Sequence, residues 1–218
     1  MAYPLFFTDG TKFSHALGKI VCVGRNYAEH AKELNNPIPT EPILFIKPES
    51  SAVTLNDDLS IPDSDCHYET EIAILIGSSL TAANEEEAQA AIAGVGLGLD
   101  LTRRALQSRL KEKSHPWEVA KSFDGACPLT DFAKPDQFTN LTNLQFSLHI
   151  NDELKQSGNS EDMLNPIIPL IVHMSSYFTL KPGDIVLTGT PKGVGELRNG
   201  DLLELNLMNK VKINTRIV

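Results

Sequence analysis

The stretch "HYETEIAILIG", His67 to Gly77, decides the fold. Its alternation puts Tyr68, Ile72, Ile74 and Ile76 on one apolar face, which predicts a β-strand closed by Gly77. The other face carries His67, Glu69 and Glu71. Two carboxylates at i and i+2 on one face repel, and one of them titrates high unless a cation sits between them. A solvated edge strand with its acids in water accounts for that spacing equally well, so the pair alone leaves both readings open.

Outward from this strand the same texture continues. "GKIVCVGRN" (18–26), "PILFIKP" (42–48) and "AGVGLGLDLT" (93–102) read as strands. So do "LQFSLHIND" (144–152), "GDIVLTGTP" (183–191) and "DLLELNLMNKVKINTRIV" (201–218), the last as two strands joined at Asn209. Turn-rich "NNPIPTEP", "NDDLSIPDSD", "KPGD" and "RNGD" separate them. Helices are fewer: 85–94, with an acidic first turn, then 102–113, then 163–178, where Pro166 and Pro169 delay entry. Strands without a helix at every crossover exclude a doubly wound α/β protein. The chain reads as an α+β, β-dominated single domain spanning 1–218, with 1–17 as an N-terminal extension.

A third acid adds to the pair. Asp100 ends "AGVGLGLD", a glycine-rich strand that lets another backbone approach and aims a terminal carboxylate into a cleft. Three oxygen ligands suit a hard cation with open positions: Mg²⁺, Mn²⁺ or Ca²⁺. The three cysteines, Cys22, Cys66 and Cys127, lack CxxC spacing, which speaks for a reducing cytoplasm and against a sulfur-ligated metal. A formal net charge of −9 argues against nucleic acid and anionic membranes as partners. A mean hydropathy of −0.14 and the absence of a long apolar run predict no membrane span, and the N-terminus lacks the pattern of a signal peptide.

"VGRNYAEHAKEL" (23–34) supplies a second constellation. Asn26 is expected to cap a short helix with Glu29 as its capping-box partner, and His30 and Glu33 are then neighbours at i and i+3. A histidine oriented by a carboxylate is a competent general base; an exposed surface pair is the plainer alternative. The helix is short and poor in large apolar residues, so residues 27–40 are expected to act as a lid over the site. "LTGTPKGVG" (187–195) departs from the Walker pattern, which excludes nucleotide binding and leaves an anion nest in which Gly189, Thr190 and backbone N–H groups hold a carboxylate. Arg25 and Lys121 are the remaining cations near polar turns.

Taken in order, "VCVGRNYAEHAKE", "EPILFIKP", "HYETEIAILIG", "GLDLT", "PWEVAKSFDGACP" and "LTGTPKGVG" resemble the fumarylacetoacetate hydrolase family, in particular its short acylpyruvase-type members, over residues 18–218. The resemblance implies a mixed β-roll with flanking short helices, a homodimer, and Mg²⁺ or Mn²⁺ on Glu69, Glu71 and Asp100. It implies His30 and Glu33 as a catalytic dyad, Lys121 beside them as a catalytic cation, and Arg25, Asn26, Gly189 and Thr190 in the substrate pocket. The expected chemistry is that of a small 2-oxo acid through a metal-stabilised enolate: tautomerisation or decarboxylation of oxaloacetate, or C–C hydrolysis of acylpyruvates. Alternatives are a fumarylacetoacetate or other dioxo-acid hydrolase or isomerase, a hydratase or decarboxylase of 2-oxo-dienoates, and a non-enzymatic metal-binding protein. One departure stands out: in "DLTRRALQ", Ala105 replaces an acid usual in relatives, whereas Arg104 and Gln107 fit the pattern.

Overall fold

The computed structural model describes residues 3–62 and 65–218. In chain order the strands are β1 (Ile20–Gly24), β2 (Ile43–Lys47), β3 (Ala52–Thr54), β4 (Cys66–Tyr68), β5 (Thr70–Ile76), β6 (Ile92–Leu99) and β7 (Thr102–Arg103). They continue with β8 (Cys127–Leu129), β9 (Gln145–Ile150), β10 (Glu153–Asn159), β11 (Ile185–Leu187), β12 (Gly195–Glu196), β13 (Leu202–Leu207) and β14 (Val211–Arg216). Five short helices flank them: α1 (Ala28–Glu33), α2 (Glu85–Ala90), α3 (Arg104–Glu112), α4 (Glu118–Lys121) and α5 (Ile167–Tyr177).

The main sheet runs β2-β1-β11-β5-β6-β8-β3; a second sheet is β10-β9-β13-β14 and a third β12-β4-β7. β1 pairs parallel with β11 and β3 with β8, whereas the other pairings in these sheets are antiparallel, so the sheet is mixed as expected. β5 lies in the interior of the main sheet, and each of its residues is buried. That removes the edge-strand alternative: Glu71 is in the protein interior, not on a wetted face.

Period-2 alternation gives β5 two different cores. Ile72, Ile74 and Ile76 join the larger cluster with Phe146, Leu148, Leu203 and Leu205 of the second sheet and Leu170 and Ile171 of α5. Ala73 and Leu75 face a smaller cluster with Leu5, Leu17, Cys22 and Phe132, so the first residues of the chain roof this side. Glu71 shares the latter face by strand period. Opposite it in register is Gly98, where a Cβ would fall 2.9 Å from Leu187 Cδ2. The glycines of β6 are there because side chains from across the sheet pass close over them.

The expected single strand is broken at Glu69, between β4 and β5. His67 therefore belongs to a separate ladder, paired with Glu196 and Thr102, and does not line the pocket of the three acids. α2 starts with the capping box expected of an acidic turn, Asn84 against Glu87. α5 begins after Pro166, and Pro169 sits in its first turn, where a missing N–H costs nothing. β13 and β14 turn at Met208 and Asn209, both at positive φ.

Candidate active site

The β5–β6 register pairs Thr70 with Leu99 and Glu71 with Gly98, and the Asp100 N–H donates to the Glu69 carbonyl at 2.8 Å. This brings one oxygen each of Glu69, Glu71 and Asp100 within 4.8 Å of one another, with all three residues buried. Like charges so placed require cations, and two lysines and an arginine converge on them. Lys121 Nζ contacts Glu69 Oε2 (2.9 Å), Asp100 Oδ2 (2.5 Å) and Thr102 Oγ1 (2.7 Å). Arg104 pairs with Glu69 Oε1, and Lys47 Nζ lies 2.8 Å from Asp100 Oδ1. The Lys47 contact is an ion pair without hydrogen-bond alignment, so Asp100 Oδ1 is left without a donor. Lys47, fully buried, instead donates to the carbonyls of Ala126 (3.0 Å) and Lys121.

The three acids are not equivalent. Burial would raise the Glu69 pKa, but Lys121 and Arg104 outweigh it and hold the carboxyl below the usual range. Burial, then the charges of Asp100 and Glu69, push Glu71 well above that range. Its hydrogen bond comes from the Gly189 N–H at 2.6 Å, and no ion pair reaches it among the described residues. A buried carboxylate without its own cation, an orphaned Asp100 oxygen and an all-oxygen donor set fit a hard divalent ion.

His30 and Glu33 sit on α1, with His30 Nδ1 3.3 Å from Glu33 Oε2. Glu33 Oε1 accepts from the Gly193 N–H at 3.0 Å, so the loop after β11 steadies the acid that steadies the histidine. His30 is buried and lines the same pocket as the three acids, together with Arg25, Phe45, Arg104, Gln107, Lys111, Trp117, Lys121 and Thr190. The cavity among them is small, about 40 Å³.

Two local expectations are revised. α1 is entered through Tyr27 with no side-chain cap, because Asn26 is employed elsewhere. The buried Asn26 amide donates to the Asn165 and Thr188 carbonyls (3.0 and 2.8 Å) and accepts from Asn165 N–H (2.8 Å), which pins β1 to the segment before α5 rather than lining the pocket. The loop of Gly189 and Thr190 does hold carboxylates, but they are the protein's own: Glu71 on Gly189 and Glu33 on Gly193. Gly189 has φ +89°, and a Cβ there would fall 2.7 Å from Asn26 Cβ. Thr190 lines the pocket while its Oγ1 accepts from Gln156 Nε2 at 2.8 Å. Arg25 also adopts a left-handed backbone, φ +59°, strain of about 1–2 kcal/mol that the surrounding fold must hold.

Lys47 escaped the sequence reading. The signal was a lysine closing the otherwise apolar strand "PILFIKP", but its partner lies 53 residues on, at Asp100. Lys111 and Trp117 carried no signal beyond composition. Ala105, where the acid is replaced, is exposed; its N–H, in the first turn of α3, donates to Asp65 Oδ2 at 2.6 Å, so a carboxylate from another segment caps the helix.

Comparison with known proteins agrees with this architecture. A family model described as Fumarylacetoacetate (FAA) hydrolase C-terminal matches residues 19–218. The chain is 48% identical over 198 residues to Oxaloacetate tautomerase YcgM of Escherichia coli (strain K12), spanning 89% of this chain and 90% of that protein. It is 40% identical over 199 residues to the mitochondrial Oxaloacetate decarboxylase of Dictyostelium discoideum, spanning 90% and 91%. A crystal structure of fumarylpyruvate hydrolase from Pseudomonas aeruginosa, in complex with Mn²⁺ and pyruvate, superposes with a TM-score of 0.92 at 30% identity, over 100% of this chain and 96% of that one. No helix among the described residues is long and apolar enough to cross a membrane.

Proposed function

The chain belongs to the fumarylacetoacetate hydrolase family, and from that premise we propose that it interconverts the enol and keto forms of oxaloacetate, with short acylpyruvates as further substrates. The observation that carries this reading is the convergence of three buried carboxylates, one of them without an ion-pair partner among the described residues, on the pocket lined by His30, which Glu33 contacts. Glu69, Glu71 and Asp100 would hold Mg²⁺ or Mn²⁺, which when bound supplies Lewis-acid polarisation of a 2-oxo acid.

The side chains around that position have complementary tasks. Glu33 occupies His30 Nδ1, which leaves Nε2 as the atom that takes or gives a proton at C3 of oxaloacetate. Lys121 and Arg104 place positive charge where the 2-oxo oxygen becomes enolate-like, inside a pocket with little water to screen it. With an acylpyruvate the same His30 Nε2 draws a proton from water for attack at the distal carbonyl; the C–C bond to C3 then breaks, releasing a carboxylic acid, and His30 returns the proton to C3 of the pyruvate enolate. Residues 27–40 serve as the lid. α1 has six residues and no side-chain cap, and a cavity of about 40 Å³ is too small for these substrates until lining groups move outward.

Decarboxylation is the second reading, favoured by the Dictyostelium relative named for it. Enol-oxaloacetate followed by ultraviolet absorbance with Mg²⁺ present, and pyruvate assayed in the same tube, separates the two. Rapid enol loss without matching pyruvate is the expected result. Pyruvate rising in step would replace tautomerase by decarboxylase, and no signal above a Glu71→Gln control would remove oxaloacetate as substrate.

A further inference from the structure

The pocket is lined by two cations to which the proposed chemistry gives no task. Arg25 and Lys111 both line it and are both half-buried. Glu69 and Asp100 already have their own partners, Lys121 and Arg104 on Glu69 and Lys47 and Lys121 on Asp100, and the proposed cation would compensate Glu71. Lys111 Nζ donates to Asn36 Oδ1 at 2.9 Å, a neutral amide just beyond α1 that holds the ammonium in place without cancelling its charge. Arg25, Arg104 and Lys121 act on Lys111 as like charges, and Glu69, the acid that opposes them, is already paired. Arg25 is perturbed by burial alone, with no acid opposing it. Holding unpaired like charges together at a half-buried wall is unfavourable unless an anion arrives there. The strained φ of Arg25 points the same way, because backbone strain of this kind persists where a side chain must be aimed.

We propose that Lys111 and Arg25 form a carboxylate subsite at the outer end of the pocket, reading the second carboxylate of a 2-oxo dicarboxylic acid and selecting such diacids over 2-oxo acids with an uncharged far end. This rests on the reading of the inner site as one for 2-oxo acids. On binding, Lys111 exchanges the Asn36 amide for the carboxylate, which links occupancy of the outer subsite to the segment that follows α1. Two ion pairs to a carboxylate outweigh one ion–dipole hydrogen bond from the Lys111 ammonium to an asparagine. Phe45 and Trp117, edge to face at 6.2 Å, line the pocket too and offer a far methyl group only apolar contact.

The test is binding as well as turnover. 2-Oxoglutarate and 2-oxovalerate share five carbons and differ in whether the chain ends in carboxylate or methyl. Calorimetric titration of the Mg²⁺-loaded protein is expected to show the diacid bound about tenfold or more tighter, the range of one desolvated charge pair. Lys111→Gln is expected to erase that preference and leave the monoacid within about twofold, while Lys111→Arg keeps most of it. KM for oxaloacetate rises in Lys111→Gln, with kcat changed less. No preference in the wild type, or equal weakening of both acids in Lys111→Gln, would overturn the subsite. Loss of the preference in Arg25→Gln but not in Lys111→Gln would overturn the part given to Lys111. A wild type that shows the preference yet turns over neither oxaloacetate nor an acylpyruvate would sink the proposed reaction and uphold the subsite.

Discussion

The carboxylate cluster and the His30–Glu33 pair meet at one pocket, through His30, but are built from different materials. Glu71 is inside a strand bonded on both sides, Glu69 and Asp100 flank strand ends locked by the β5–β6 register, and all three are at most 5% exposed. His30 and Glu33 stand on a six-residue helix without a side-chain cap, where Glu33 is exposed and the ties to the rest are few: Gly193 N–H on Glu33, Lys111 on Asn36, Lys192 near Glu29. A helix that short is unstable by itself. On the proposed reading, the groups that would present fixed oxygens to an ion lie on the framework, and the group that would move protons lies on a short helix with few ties.

The comparison breaks first at Glu71. Glu71→Gln is expected to abolish the rise in Tm that Mg²⁺ gives the wild type, and to lower turnover by about 10³-fold or more, since Lewis-acid stabilisation is worth several kcal/mol. Without added cation the sign reverses. Removing the uncompensated charge should leave the variant as stable as the wild type or more so. A variant that still gains Tm with Mg²⁺ would show that the cation binds elsewhere.

Lys47→Met is the next largest effect, on stability. A fully buried pair loses one partner and leaves Asp100 beside Glu71 with Lys121 as its remaining cation, so urea unfolding should register a cost of about 3–5 kcal/mol. The same kind of change on α1, Lys32→Ala, breaks an exposed, solvent-screened pair with Glu29 and should cost far less. Comparable losses in the two would contradict the division into framework and lid.

His30→Ala inverts the Glu71 result. Turnover should fall about 10²-fold, within the usual worth of a positioned general base, while Mg²⁺ affinity stays within about twofold of wild type. Weakened Mg²⁺ binding would mean that the histidine belongs to the ion's surroundings rather than to the lid.

The same division governs what could be seen in the sequence. The framework was legible because period-2 alternation through Ile72, Ile74 and Ile76 sets a face, and the face sets where Glu71 points. The break at Glu69 was not legible, since a pause between two ladders leaves no mark on apolar content. Spacing revealed the His30–Glu33 contact, an i,i+3 relation, but not what secures it, because Gly193 lies 160 residues away. For the same reason Asn26 was read as a local cap although its partners are Asn165 and Thr188. Short-range rules predict short-range bonds. Lys47 and Lys111 find their partners only once the sheet is assembled.

Glu33 gives the finest test, because it combines both roles in one side chain. Oε2 faces His30 Nδ1, while Oε1 accepts from Gly193 and so ties α1 to the loop that also holds Glu71. Glu33→Gln can keep an oxygen on the Gly193 N–H while removing the negative charge beside His30 Nδ1. Turnover should drop about tenfold, the lower end for an outer partner of an active group, with KM nearly unchanged. Glu33→Ala loses the tether as well and should also raise KM and speed amide hydrogen exchange across residues 28–33. Equal kinetics in the two variants would make Glu33 purely electrostatic. A raised KM in Glu33→Gln, with kcat preserved, would make it purely a latch, and the general base would then be oriented by something other than this carboxylate.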